Sequence, residues 1–108
     1  TPAKTRSYES MLQGAAIVAM EGRAPLDGPV AVEVLACFPI PASWPRKRRE
    51  AAMHGQVWPT TKPDADNLLK VLDSMNAVVF HDDKQIVKAT IFKRYSYAPR
   101  LEVRVMAA

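Results

Sequence analysis

The sequence contains one cysteine, Cys37, and no long run of apolar residues. A single thiol excludes an intrachain disulfide and any zinc site built from several cysteines. Because no apolar run approaches the roughly 18 residues that a membrane-crossing helix needs, we expect no membrane span. A chain that is 48% hydrophobic and 24% charged is typical of a globular protein, and we expect one that works in the reducing cytoplasm.

Glycine is also scarce, with four residues in the chain, and they do not form a Gly-rich loop of the kind that cradles nucleotide phosphates. The DAD triplet at Asp64–Asp66 could belong to a nucleotide-sugar transferase, but 108 residues are too few for such a fold. The length predicts one domain spanning residues 1–108. We expect no small-molecule cofactor.

Aspartate is nearly confined to one segment of the chain. Five of the six aspartates lie between Asp64 and Asp83, and the sixth is Asp27. This window has a net charge of −4, whereas the remainder, with fourteen basic and six acidic residues, has a net charge of +8. A concentrated acidic site on a basic protein suits a polyanion-binding protein with a metal centre. Surface charge without a function gives the same totals, so charge alone does not decide between them.

The hydrophobic pattern predicts an α+β fold, with helices packed on one face of a small mixed β-sheet. Apolar residues at three- and four-residue spacing predict helices over residues 2–20 and 66–75. A short basic helix, RKRREAAM, should follow Pro45 and end by Gly55. Runs rich in β-branched and apolar residues predict strands over residues 29–40, 77–80, 84–96 and 100–106.

The aspartates form two pairs, and each pair occupies a position that can aim side chains into a cleft. Asp64 and Asp66 are two residues apart before a helix, so an extended backbone would point both carboxylates the same way. Asp82 and Asp83 lie at the junction of two predicted strands. If the helix packs back across the sheet, the two pairs meet.

Carboxylates that meet in this way repel one another, so a cation should neutralise them or some should be protonated. Oxygen ligands suit Mg²⁺ or Mn²⁺, which can activate a water for phosphodiester hydrolysis. Lys70 follows Asp66 by four residues and lies on the same helix face, where it could contact the scissile phosphate. The same spacing also fits helix capping by the first pair and a simple turn at the second.

The segment KPDADNLLKVLDSMNAVVFHDDKQIVKATIFKRY resembles the RusA family of Holliday junction resolvases, many of them phage- or prophage-encoded. The resemblance lies in the ordered motifs D-x-D-N-x-x-K and D-D-x-Q-[IV]. It extends to TPAKTRSYES and FPIPASWPRKRRE, and so covers essentially the whole chain. Family members generally carry an N-terminal strand and a Gly/Arg-rich basic segment, and we expect the domain over residues 1–108 to lack both.

The resemblance implies a homodimeric, Mg²⁺-dependent endonuclease that makes paired nicks in opposing strands of a four-way DNA junction during recombination and repair. By position it implies that Asp64, Asp66 and Asp83 are catalytic metal ligands, that Asp82 is a further ligand, and that Lys70 is the catalytic lysine. A non-catalytic module that binds branched DNA is the alternative from the same fold.

Basic residues around this site are candidate DNA contacts, although a solvated helix face explains the RKRR run equally well. These candidates are Lys62, Lys70, Lys84, Arg46, Lys47, Arg48 and Arg49. Asp73, two helical turns beyond Asp66, is expected to support the site or to have a structural role only. His81 is expected to be exposed or to support the ligands, because imidazole is a poorer partner than oxygen for Mg²⁺.

Overall fold

A computed structural model of the protein describes the backbone of residues 3–108 and the side chains of residues 10–108. Within these residues the longer elements are α1 (Ala3–Met20), β1 (Val30–Pro39), α2 (Arg46–Met53), α3 (Ala65–Lys70), β2 (Ile86–Ser96) and β3 (Arg100–Ala107). Two 3₁₀ helices, Val71–Met75 and Asp83–Gln85, precede β2. The predicted start of the first helix, at Pro2, lies outside the described residues.

The strands within residues 3–108 form a mixed three-stranded sheet in the order β2-β1-β3. β1 is parallel to β2, where Val34 pairs with Ile91, and antiparallel to β3, where Val34 pairs with Val103. Parallel neighbours cannot be joined by a tight turn, so the chain leaves the sheet after β1 and returns to it at β2. We call this connection, residues 40–85, the crossover; it contains α2, α3 and both 3₁₀ helices.

One face of the sheet is covered by helical segments. The side chains of Val30, Val32 and Val34 on β1 are at most 1% exposed, whereas Glu33 between them is exposed. This alternation is expected for a strand with one buried face. The valines join a core with residues of α1, α3, the first 3₁₀ helix and the segment after it, including Ala16, Leu68, Leu72, Met75 and Phe80. The predicted α+β fold with a small mixed sheet is confirmed.

The predicted strand over residues 77–80 is wrong. Ala77 has a φ of 66°, and its N–H donates to the carbonyl of Phe80 at 2.7 Å, so these residues form a turn. Among residues 3–108, Phe80 makes only isolated bridges, to Leu26 and Asn76. The apolar run AVVF therefore reflects burial in the core, where Val79 is 8% and Phe80 0% exposed, and not strand pairing.

Two other predicted elements near the aspartates have a different type of secondary structure over part of their length. The predicted helix over residues 66–75 is α-helical only as far as Lys70 and continues as the 3₁₀ helix Val71–Met75. The predicted strand over residues 84–96 starts at Ile86, because Asp83–Gln85 form a 3₁₀ turn. A 3₁₀ helix has fewer residues per turn than an α-helix, so Asp73 points away from the direction that an uninterrupted α-helix would give it.

None of the helices within residues 3–108 combines the length and the apolar character that are needed to cross a bilayer.

Candidate active site

The first aspartate pair lies at the N-terminus of α3. Asp64 is the N-cap residue, with an extended backbone, and its Oδ1 accepts a hydrogen bond from the backbone N–H of Asn67 at 2.9 Å. Asp66 lies in the first turn, and its Oδ2 is 3.5 Å from Lys70 Nζ. The side chains of this ion pair are 79% and 61% exposed, so the pair adds little stability and leaves both groups free to move.

The N-cap role of Asp64 predicts different effects for two substitutions. Asparagine caps helices as well as aspartate does, so Asp64→Asn should unfold at nearly the same urea concentration as the wild type. Asp64→Ala loses the bond to the Asn67 N–H and should be destabilised by about 1 kcal/mol. Equal destabilisation of the two variants would contradict the capping geometry. Asp64→Asn therefore tests the charge of Asp64 without disturbing the helix.

The second pair lies at the turn into β2. Asp82 is the N-cap residue of the 3₁₀ helix Asp83–Gln85, and its Oδ1 accepts from the backbone N–H of Lys84 at 2.9 Å. That bond, and a hydrogen bond shared with the carboxyl of Asp83, lower the pKa of Asp82. The pKa of Asp83 is raised, first by the hydrogen bond with Asp82 and then by one with Asp73. Two adjoining carboxyls repel each other when both are ionised, so the pair tends to keep one proton. The carboxyl that ionises first has the lowered pKa, and the other has the raised pKa.

Asp73 is a part of this acidic group that sequence reasoning placed outside the ligand set. Its carboxyl adjoins that of Asp83 and raises the pKa of Asp83 both by hydrogen bonding and by charge repulsion. The signal that could have identified it is the change from α to 3₁₀ geometry after Lys70. That change cannot be read from apolar spacing, because Val71, Leu72 and Met75 are buried in either geometry.

The structure gives the two pairs separate partners. Asp64 and Asp66 contact groups of α3 itself. Asp82 accepts from the backbone N–H of Lys84, and Asp82 and Asp73 raise the pKa of Asp83. Among the side chains of residues 10–108, no three acidic, histidine or cysteine residues are arranged to hold a metal ion. The five aspartates from Asp64 to Asp83 nevertheless all lie on the crossover. Whether the two pairs converge on one ligand set remains a prediction.

His81 lies next to the acidic turn, but its side chain contacts Asp27, in the loop before β1. Its Nε2 is 2.7 Å from Oδ1 of Asp27, and the two side chains are 57% and 94% exposed. Asp27, the aspartate outside the acidic window, thus holds the imidazole. His81 is exposed, which is one of the two expectations for it, and support of the metal ligands stays a prediction. The contact ties the loop before β1 to the turn before β2.

The candidate DNA-contacting residues lie in different environments. Lys62 and Lys84 are exposed on either side of the aspartates. On α2, Arg46 Nε bonds to Glu50 Oε1 at 3.1 Å, and the guanidinium of Arg48 lies 4.1 Å from the centre of the Trp44 ring.

The other two residues of the RKRR run differ from each other in burial. Arg49 is half-buried, and its Nε is buried without a hydrogen-bond partner among the described side chains, whereas Lys47 is exposed. DNA contact by this helix remains a prediction.

A family model described as endodeoxyribonuclease RusA matches residues 1–106. The chain belongs to the RusA family. It is also 38% identical over 109 residues to a protein of Bacillus subtilis (strain 168), the uncharacterized protein YqaN, and the match covers 96% of this chain and 75% of that relative. No solved structure matches the chain. The family resemblance predicted from the motifs is therefore confirmed, and RusA membership supports nuclease chemistry.

The donor set of this RusA-family chain suits a hard divalent cation. The predicted ligands Asp64, Asp66, Asp82 and Asp83 present only oxygen atoms, and a bound cation would offset the interactions with Asp82 and Asp73 that raise the pKa of Asp83. The single cysteine, Cys37, is buried on β1, and His81 is occupied by Asp27. Oxygen ligands without sulfur or free imidazole favour Mg²⁺ or Mn²⁺ over zinc.

Proposed function

We propose that the protein is a Mg²⁺-dependent endonuclease that resolves four-way DNA junctions by paired phosphodiester hydrolysis in opposing strands. Manganese should substitute for magnesium. Such an activity would act in DNA recombination and repair. The observation that carries the proposal is the carboxylate group on the crossover, with Lys70 four residues from Asp66, in a chain of the RusA family.

In this proposal Asp64, Asp66, Asp82 and Asp83 hold the metal ion, and Asp73 borders them. The bound ion would supply an activated water and stabilise the charge that develops on the leaving oxygen. The carboxylates hold their positions through backbone contacts, Asp64 through the Asn67 N–H and Asp82 through the Lys84 N–H. Asp64 also keeps one carboxylate oxygen free, because a single oxygen makes the capping bond.

Lys70 is the proposed electrophilic residue. In the free protein its ammonium balances the charge of Asp66 across 3.5 Å. Because the lysine side chain is 61% exposed, it can turn to a phosphate without crossing packed structure. There it would stabilise the negative charge of the transition state, a role in which one well-placed group contributes about 10²- to 10³-fold in rate.

Paired cuts favour a homodimer, because a four-way junction has two-fold symmetry and two identical active sites related by a two-fold axis match it. The candidate DNA-contacting residues around the site would supply phosphate contacts and make binding depend on salt concentration. Lys62 and Lys84, which are exposed and flank the aspartates in the sequence, are proposed to contact the DNA strand beside the site.

The test is cleavage of a synthetic four-way junction with both members of a strand pair labelled, beside a linear duplex of the same sequence. The full-length protein should cut the junction preferentially with Mg²⁺ or Mn²⁺ and not with EDTA. Lys70→Met should reduce the cleavage rate by about 10²- to 10³-fold, with little change in junction affinity. Lys88→Met, which removes an exposed lysine on β2, is the matched control and should cut normally.

Two outcomes would overturn parts of the proposal. Junction binding that falls steeply with salt, without cutting under any divalent ion, would identify a non-catalytic branched-DNA-binding module. Equal rates for Lys70→Met and Lys88→Met would remove Lys70 from the mechanism. If the full-length protein cuts no branched DNA at all, the assignment fails.

A further inference from the structure

The side-chain amide of Gln85 uses its full hydrogen-bonding capacity. Its Oε1 accepts from the backbone N–H groups of His81 at 2.7 Å and of Asp82 at 2.9 Å. Its Nε2 donates to the backbone carbonyls of Leu26 at 2.9 Å and of Gly28 at 2.8 Å. A primary amide has two donor hydrogens and two acceptor lone pairs, so none is left over. If the amide were flipped, its NH₂ group would face the N–H donors of His81 and Asp82.

These four bonds join two segments that are distant in sequence. Leu26 and Gly28 lie 59 and 57 residues before Gln85 and form the loop that leads into β1. The same loop is held by a backbone bond from Leu26 N–H to the Val79 carbonyl at 2.7 Å, and by the contact between Asp27 and His81. Gln85 is the only side chain, among those of residues 10–108, that bonds to both backbone segments.

The bonds act on the residues that precede the second aspartate pair. The N–H groups of His81 and Asp82 define the two peptide planes that enter the pair, so fixing them fixes where the Asp82 side chain leaves the backbone. Gln85 also closes the capping box with Asp82. Without these restraints, repulsion among Asp73, Asp82 and Asp83 would open the turn and separate the carboxylates.

We propose that Gln85 is a positioning residue that clamps the Asp82–Asp83 turn to the loop before β1, so that both carboxylates are presented together to a divalent cation. The inference rests on the proposed function, because it assigns Gln85 to the same metal site. Gln85 itself touches neither the ion nor DNA. Its effect passes through the backbone of His81 and Asp82.

The test compares Gln85→Met, which keeps the length of the side chain and removes all four bonds, with Gln56→Met, an exposed glutamine outside the turn. The affinity of the protein alone for Mn²⁺ is measured by calorimetry. We expect Gln85→Met to bind Mn²⁺ about 10- to 100-fold more weakly, the usual effect of removing a group that orients metal ligands. Gln56→Met should bind as the wild type does.

Amide hydrogen exchange provides a readout that does not depend on metal or nuclease activity. The His81 and Asp82 amides should exchange faster in Gln85→Met, whereas core amides of β1 should keep their protection at a temperature where the variant is folded. If Gln85→Met does not fold, Gln85→Asn replaces it, because it keeps an amide but is too short to reach both segments. The same changes in affinity and exchange are expected from it.

The outcomes separate this inference from the proposed function. If the wild type binds Mn²⁺ and cuts junctions while the Gln85 variants keep its affinity and its exchange rates, the clamp is overturned and the nuclease stands. Faster exchange with unchanged Mn²⁺ affinity would leave Gln85 a structural residue only, and this also overturns the inference. If the wild type itself neither binds Mn²⁺ nor cuts DNA, both proposals fail.

Discussion

Asp83→Asn should unfold at a higher temperature than the wild type near neutral pH in the presence of EDTA, while its junction cleavage falls to background. The carboxyl of Asp83 adjoins those of Asp82 and Asp73, and both neighbours raise its pKa. An asparagine amide at this position removes the repulsion and can donate to either neighbour. The same change removes a proposed metal ligand, so stability and activity should move in opposite directions.

The pH dependence of this effect follows from the sign of the shift. A carboxyl whose pKa is raised on folding stabilises the fold at pH values below its ordinary pKa, 3.8, where it is protonated. That stabilisation is lost as the pH rises through the higher pKa of the folded state. The advantage of Asp83→Asn should therefore be present at neutral pH and disappear below about pH 3.8. Thermal unfolding followed by circular dichroism from acidic to neutral pH measures it.

Asp82→Asn is the matched comparison, because the pKa of Asp82 is shifted in the other direction. The Lys84 N–H and the Asp83 carboxyl lower it, so ionised Asp82 stabilises the fold above pH 3.8, and this contribution is lost as the pH falls. Asp82→Asn loses the ionised acceptor of the Lys84 N–H as well as the repulsion with Asp83, so its neutral-pH unfolding temperature should rise less than that of Asp83→Asn. A neutral-pH unfolding temperature of Asp83→Asn at or below that of the wild type would contradict the repulsion argument. Added Mn²⁺ should raise the wild-type temperature more than that of either variant.

Phe80→Ala should be the most destabilising single substitution within the turn before β2, at about 3–5 kcal/mol. The side chain of Phe80 is 0% exposed and packs in the core with the β1 valines. Its carbonyl also closes the turn with the Ala77 N–H. Removing the ring leaves a cavity beneath the segment that carries His81 and Asp82. Urea-induced unfolding measures the loss.

Phe92→Ala provides the control for ring removal, since Phe92 is 46% exposed on β2 and contacts Trp58 edge-on. Phe92→Ala should lower the free energy of unfolding much less than Phe80→Ala does, because the Phe92 ring is only partly buried. Similar losses for the two variants would mean that the turn is not supported from the core. The loss expected for Phe80→Ala is a large fraction of the total free energy of unfolding of a domain of this length.

The parts of the fold that were predictable are those governed by local periodicity. Burial on β1 alternates through Val30, Val32 and Val34, and this pattern requires one covered face whichever neighbours pair with the strand. Helix α3 was predicted to begin at Asp66 and begins after Asp64, because D-x-D-N gives the chain an aspartate that can bond back to the Asn67 N–H. Both features depend on contacts within a few residues.

The failed strand over residues 77–80 shows where periodicity is insufficient. A short apolar run is buried either because it pairs in a sheet or because it packs beneath a turn, and AVVF contains no residue that distinguishes the two. Ala77 adopts a positive φ, which alanine rarely does, so the sequence gives no warning of the turn. Tertiary packing of Val79 and Phe80 decides the outcome.

The candidate site was likewise predictable only in part. Charge repulsion among neighbouring aspartates predicted raised pKa values or a bound cation, and Asp82 and Asp73 do raise the pKa of Asp83, whereas the cation stays a prediction. The approach of Asp73 depends on a change of helix geometry, and the bonds of Gln85 depend on a loop more than fifty residues away. Neither relationship has a local sequence signature.

The crossover has a kinetic consequence for the site. β1 and β2 are parallel neighbours separated by residues 40–85, so their pairing must wait until a long loop has closed. Every proposed metal ligand lies within that loop, and its end is fastened by Gln85. We therefore expect the proposed ligands to reach their final positions late, in the same slow step that closes the sheet. In a nascent or partly folded chain the aspartates would be scattered, and the proposed metal site would not exist.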